Sequence, residues 1–519
     1  MMDSKEILKF CLDRGLLIEP DVLKIFSDAK DVDSIKNLLD KLKTHTQKRI
    51  ITKTLFEQHK EQVSEFFLAL PKENQRSLEK VKIKLGLEIE ISKEVSSSVQ
   101  IQKGRVEEGA TVRVLTSPPK PKEKIEVKDF VKLFRNRLDE MKGILQEHGG
   151  LENLVSINKL AKGKKVSIIG MVSDKRITKN KNILFEVEDM TGKVRVLVNQ
   201  NKPDLYENAE EIPLDAVMGF TGFGDRDFFF VQELIFPDVS LKTKKHSPVE
   251  EHAVFISDLQ FGSKLFFREQ FERFIDYLSD KSPNLEESKK IKYLFLSGDL
   301  VSGVGVYPGQ SRDLEIEDIE QQYTQLAEIL KRVRKDIKII VSPGNHDGVR
   351  LMEPQPFLDE RYAWSIYDLE NVVMVGNPAY VNIGAKENFS GFDVLVYHGF
   401  SYPFYANNIP SLLHADAINA PEKIMAYLLR NRHLAPTYSS MQAFPSEKDE
   451  LVIKKIPDIF VSGHLHKSAV MSYNNVLIIS CSTWEAETEN QKRRGNQPDF
   501  CKAPLFNLKT GAVKILDFE

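Results

Sequence analysis

Cysteine is scarce in this chain: three in 519 residues, Cys11, Cys481 and Cys501, and none in a CxxC pair. An odd, scattered set excludes a disulfide framework and a zinc ribbon and fits a reducing compartment. Long apolar runs are also missing. No stretch approaches the roughly 18 residues of a membrane span, and the opening MMDSKEILKF lacks the apolar centre of a signal peptide, so a soluble, cytoplasmic protein with no membrane partner is expected. There is no GxxxxGK[ST] loop and no GxSxG elbow, which removes support for P-loop nucleotide hydrolysis and for a serine nucleophile. Strong charge imbalance is absent overall, with a formal net charge of −3, but residues 162–205 carry ten Lys/Arg against five Asp/Glu. Contact with nucleic acid must therefore be local or shared with a partner.

The length calls for two to four domains. Residues 1–91 read as a small helical domain; in TLFEQHKEQVSEFFLAL, Leu55, Phe56, Val63, Phe66, Phe67 and Leu70 form one apolar stripe. Residues 92–128 are poor in aromatics and rich in charge, Ser and Pro, the composition of a flexible linker. Over 129–155 a connecting helix places Phe130, Phe134, Leu138, Met141 and Leu145 on one face and stops at Gly149 and Gly150. Residues 156–245 read as short strands, with a hairpin turning at MTGK. Their alternation and length, opened by GKKVSIIGMV, resemble an OB-fold β-barrel, a scaffold often used on single-stranded nucleic acid. Phe228, Phe229 and Phe230 are either barrel core with one exposed ring or a stacking platform, and Lys164, Lys165, Lys175 and Arg176 are the candidate nucleic-acid contacts.

From residue 252 to 519 apolar runs alternate with helical stretches, and each run ends in a polar residue: AVFISD at Asp258, KYLFLSGD at Asp299, IKIIVSPGNHD at Asn345, His346 and Asp347, VLVYHG at His398, DIFVSGHLH at His464 and His466. In α/β sheets ligands bind beyond the carboxyl ends of strands, so these residues should meet on one rim. One such ending is only a turn; five, all Asp, Asn or His, are not. Carboxylate and imidazole without thiolate suit a pair of divalent ions, and two aspartates leave such a pair with about +2, attractive to a phosphodiester. Phosphoester hydrolysis is the reaction this set implies.

SDLQFGS, SGDLVSG, PGNHD, YHG and SGHLH, in that order, resemble the calcineurin-like metallophosphoesterase superfamily. GVGVYPGQ, PGNHDGVRLMEPQP, NRHLAPTY and CSTWEAETENQK narrow the resemblance to the small subunit of archaeal D-family DNA polymerase, a polymerase B-subunit type. The resemblance implies a multidomain chain: an α/β metallophosphoesterase sandwich of two mixed sheets flanked by helices, preceded by an OB-fold barrel and a small N-terminal helical module. It implies two divalent metal ions, Mn²⁺ or Mg²⁺ with Zn²⁺ or Fe²⁺ as alternatives. Asp299 would bridge them, Asp258 and His466 hold one, and Asn345, His398 and His464 hold the other. His346 would be the general acid, with Asp347 orienting it. One position departs from the pattern: where the family writes Asp-x-His, the third residue here is Gln260, whose amide oxygen is a weaker ligand than imidazole for zinc-like ions.

The implied function is metal-dependent 3′–5′ exonuclease action on mismatched DNA ends, as the proofreading subunit of a heteromeric replicative DNA polymerase. The implied partners are a large catalytic subunit, primer–template DNA and the sliding clamp. Two alternatives stay open: a scaffold subunit whose nuclease has decayed through Gln260, and a free-standing phosphodiesterase or protein phosphatase.

Overall fold

A computed structural model describes residues 4–27, 32–46, 49–59, 63, 111–117, 119, 124–147, 149–281 and 284–519. They fall into two units, Met1–Glu108 and Gly109–Glu519. In the first, helices Ser4–Asp13, Pro20–Ser27, Val32–Thr46 and Lys53–Gln58 are joined by a two-residue parallel pair, β1 (Leu17–Ile18) and β2 (Ile50–Ile51). Leu55, Phe56 and Val63 of the expected stripe are buried with Ile7, Val22, Phe26 and Leu39. Phe66, Phe67 and Leu70 lie outside the described residues.

The second unit opens with a departure from the sequence reading. Residues 92–110 of the expected linker lie outside the described residues, but Val112–Val114 is a strand, β3, antiparallel to β13 (Ala379–Ile383). Two β-branched residues in alternation suffice to extend an exposed sheet edge, and Leu115 N–H donates to the Tyr380 carbonyl to hold the addition.

Helix Val127–Glu147 follows. Its Leu138, Met141 and Leu145 pack on Ile169, Met171, Val217 and Ile235 of a closed five-stranded barrel and on Val452 beyond it. The barrel strands are β4 (Lys165–Ile177), β5 (Ile183–Asp189), β6 (Gly192–Val198), β7 (Val217–Gly224) and β8 (Phe228–Ile235), in the spatial order β4-β5-β6-β8-β7. The MTGK turn does join β5 to β6, held by the Asp189 carboxylate accepting from the N–H groups of Thr191 and Gly192.

Two six-stranded sheets make up the rest. One runs β12 (Val372–Met374), β11 (Lys338–Ser342), β10 (Ile291–Ser297), β9 (His252–Ile256), β18 (Lys502–Asn507), β19 (Val513–Asp517). The other runs β16 (Ala469–Tyr473), β17 (Val476–Ser480), β15 (Ile459–Ser462), β14 (Phe392–Val396), β13, β3. Strand period two separates their faces. Tyr293 and Phe295 join Val394, Val396, Ile459 and Val461 in a core between the sheets, while Leu294 and Leu296 turn to the helix-covered outer layer. The central strands β9 to β12 are parallel, as are β14, β15 and β17, so their carboxyl ends share a direction within each sheet. Among the described residues no helix is long and apolar enough to cross a membrane.

The helix Val127–Glu147 is locked to the two-sheet domain by a buried charge. Arg137 donates to the Asp449 carboxylate at 2.6 Å and to the Pro436 carbonyl at 2.6 Å. His433 lies 3.0 Å from the same carboxylate, and burial together with Arg137 pushes its imidazole down to about 4, so it stays neutral. Arg137→Ala is expected to cost about 3–5 kcal/mol, because Asp449 would remain buried without its cation. Denaturant unfolding of the full chain measures this; a loss under about 1 kcal/mol, typical of an exposed pair, would show that the lock is not structural.

Candidate metal centre

Each residue proposed from the strand endings sits just past a strand: Asp258 and Gln260 after β9, Asp299 after β10, Asn345 to Asp347 after β11, His398 after β14, His464 and His466 after β15. The first three groups come from one sheet and the last two from the other, and they meet where both sheets end. Ligand atoms of Asp258, Asp299 and His398 lie within 4.8 Å of one another, and all three residues are buried.

Asp299 is at the centre. His398 Nε2 lies 3.5 Å from its Oδ2 and His346 Nε2 3.9 Å from the same oxygen, while the His346 backbone N–H donates to Oδ1 at 2.8 Å. Burial alone would raise this carboxyl, but the His398 and His346 charges and the backbone donor hold it well below the usual carboxylate range. His398 shows the reverse balance: burial works against its charge, yet Asp299 holds it up at about 10. The His398 Nδ1 lies 3.0 Å from the Ser297 carbonyl, which turns Nε2 toward Asn345 Oδ1 at 3.1 Å and toward Asp299.

Asp258 is the second carboxylate. Its Oδ2 accepts from the His464 N–H at 2.9 Å and from Ser257 Oγ. Its Oδ1 is fully buried and faces His466 Nε2 at 3.2 Å; burial would raise this carboxyl, but the His466 charge holds it below its ordinary value. Two buried carboxylates and an imidazole whose ligand atoms lie this close together suit a divalent cation. His464 packs against His398 and Phe400, and burial followed by the His398 charge pushes it down to about 3, so the ring is neutral with one nitrogen lone pair available.

The backbone here is strained. Asp258, Gln260, Asp299, His464 and His466 all have φ between 51° and 71°, a region costly for residues with a Cβ. Close approach is enforced by Gly344 and Gly463: a Cβ on the first would stand 2.2 Å from Asp299 Oδ1, and on the second 2.3 Å from Asp258 Oδ2.

Three expectations change in detail. Asp347 does not touch the His346 ring: its carboxylate accepts from the N–H groups of Leu300, Val301 and Gly344 and from Tyr323 Oη, stitching loops together. Burial, then the Asp299 charge, pushes it up to about 7. The Ser302 carbonyl, 3.0 Å from Nδ1, orients His346 instead. Gln260 directs its amide nitrogen at Asp299 Oδ2, 3.1 Å away, so in this arrangement it serves the carboxylate as a donor. Lys175 is not free for a phosphate: its ammonium is bound by the Glu210 and Ile212 carbonyls at 2.6 and 2.9 Å, and burial pushes it down to about 8. Lys164, Lys165 and Arg176 are exposed.

Residues the strand endings did not reveal complete the surroundings. Gln491 Nε2 lies 2.7 Å from His466 Nδ1, held by a capping box with Thr488. The spacing Thr-x-x-Gln announces that helix start in sequence, though not its target. Asn377 accepts from the His398 N–H at 2.9 Å and donates to buried Glu353. Glu485, bonded to Ser263 Oγ, adds a carboxylate that interacts with His346 and His466.

Residues 253–470 match the family model for the B-type subunit of DNA polymerases alpha and epsilon. Three similar proteins are each named DNA polymerase II small subunit. That of Pyrococcus furiosus is 38% identical over 422 residues, covering 78% of this chain and 67% of the relative. That of Pyrococcus abyssi is 37% identical over 437 residues, 81% and 69% of the two chains. That of Methanothermobacter thermautotrophicus is 35% identical over 398 residues, 76% and 80%. Similarity at this level runs through both the barrel and the two-sheet domain, so the chain belongs to the family of archaeal DNA polymerase II small subunits.

Proposed function

We propose that this chain is the proofreading subunit of its polymerase, a metal-dependent 3′–5′ exonuclease that hydrolyses the terminal phosphodiester of a mismatched primer. The observation that carries the reading is the convergence of Asp258, Asp299 and His398, whose ligand atoms lie within 4.8 Å of one another, with Asn345 beside His398 and His466 beside Asp258. The order β4-β5-β6-β8-β7 supports reading the barrel as an OB-fold, and the two stacked sheets with helices outside support a metallophosphoesterase sandwich. A large catalytic subunit, primer–template DNA and the sliding clamp are the partners of this reading.

Asp299 would bridge two divalent ions, with Asp258 and His466 on one and Asn345, His398 and His464 on the other. Ions so held would polarise the scissile phosphate and make water acidic enough to attack it. His346, partly exposed at the edge of the site, has Nδ1 fixed by the Ser302 carbonyl and Nε2 facing the reaction centre. From there it gives a proton to the 3′ oxygen of the penultimate nucleotide as the P–O bond breaks. Water supplies the new oxygen on phosphorus, and the product is a mononucleotide. One observation favours the scaffold reading: Gln260, at the position where the family pattern has histidine, donates its amide N–H to Asp299 Oδ2 at 3.1 Å.

Asp299→Ala is expected to abolish hydrolysis of a 3′-labelled mismatched primer while leaving copurification with the large subunit intact; retained cleavage would refute the bridging role. His346→Ala should lower turnover roughly 10²- to 10⁴-fold with metal content unchanged. Metal lost from that variant would make His346 a ligand. Gln260→His should raise affinity for Mn²⁺ in calorimetric titrations and raise the exonuclease rate, since imidazole replaces a weak neutral donor. Equal affinity in both proteins would place position 260 outside the coordination sphere.

A further inference from the structure

Strand register puts two exposed rings in one row on the outside of the barrel. Lys165 pairs with Phe223, Phe223 with Phe230, and Phe230 with Leu197, so these side chains share a face. Their neighbours Val166, Val196, Phe229 and Val231 turn inward and are buried. Phe223 is 40% and Phe230 54% exposed, unusual for rings of this size on a small barrel. Phe228 lies in the same patch, its ring centroid 6.5 Å from that of Phe230 with the planes 23° apart, and the Arg195 guanidinium stands 3.9 Å from its centroid. A depression of about 270 Å³ opens between Lys162, Phe223, Asp225, Phe228 and Phe230.

Cations frame the rings. Lys162, Lys164, Lys165, Arg195 and Arg226 are exposed around them, against Asp225 and Asp227. Two lysines nearby are paired: Lys162 lies 3.5 Å from Asp225, and Lys193 lies 3.0 and 2.9 Å from Glu186 and Glu188. Lys164, Lys165 and Arg195 have no ion pair among the described residues, so basic charge remains beside the phenyl rings.

We propose that this face binds single-stranded nucleic acid, with Phe223 and Phe230 stacking on unpaired bases and Lys164, Lys165 and Arg195 holding the flanking phosphates. Rings need the open π-face of an unpaired base, which duplex DNA does not offer, and the cations match phosphate rather than an apolar protein surface. The site lies on a different domain from the metal centre and stands whether or not that centre cuts DNA.

Fluorescence anisotropy of a labelled 20-mer oligothymidylate on the purified full chain, repeated on its complex with the large subunit, tests the proposal. Phe230→Ala and Phe223→Ala should each weaken single-strand binding by about 5- to 100-fold, the worth of one base–aromatic stack, with duplex binding unchanged. Phe230→Trp, which keeps a stacking surface, should retain affinity. Both rings are exposed, so the variants should melt at the wild-type temperature. Wild-type chain that does not bind the oligomer, or alanine variants that bind it normally, would overturn the proposal. So would variants that lose only the large subunit, since the face would then be a protein interface.

Discussion

The carboxylate of Asp299 is the group on which the site depends. It is removed from water at the junction of two sheets, and a bare charge there would be costly. Its neighbours are arranged to offset that cost: a backbone N–H from His346, the Gln260 amide, and the imidazole of His398. Each comes from a different loop, so holding one carboxylate ionised also fixes the positions of three strand ends. Asp347 ties the same loops from beneath by accepting from Leu300, Val301 and Gly344.

Such a concentration of charge is bought with backbone strain. Five site residues adopt the left-handed region, and glycines at 344 and 463 let backbone approach the aspartates more closely than any Cβ would allow. The cores on either side of the sheets, rich in Ile, Val, Leu and Phe, supply the rigidity that keeps these conformations populated. Function and stability are therefore divided along each strand: apolar residues within the sheet, polar residues past its end.

The helix Val127–Glu147 performs a comparable service between domains. It offers an apolar stripe to the barrel and both apolar contact, through Leu133, and a buried arginine to the two-sheet domain, so packing acts on both sides and charge adds to one. With the aromatic row on the barrel's outer surface, the two proposed roles would give one chain two separate surfaces for DNA, the polar rim where the sheets end and the open rings of the barrel.

Sequence by itself located the strands of the two-sheet region and the polar residues just past their ends, because a run of buried apolar residues that stops at Asp, Asn or His is a local signal. It also located the MTGK hairpin and the stripe of the connecting helix. It did not separate Lys175 from Lys164 and Lys165, since being tied to the carbonyls of Glu210 and Ile212 depends on a helix some 35 residues away. Nor could it reveal that Asp347 accepts from Leu300, Val301 and Gly344, that Val112–Val114 completes a distant sheet edge, or that Phe223 and Phe230 are cross-strand neighbours. Those facts were decided by tertiary structure, because register, side-chain direction and the sharing of one carboxylate among several loops arise only when segments far apart in the chain are packed together.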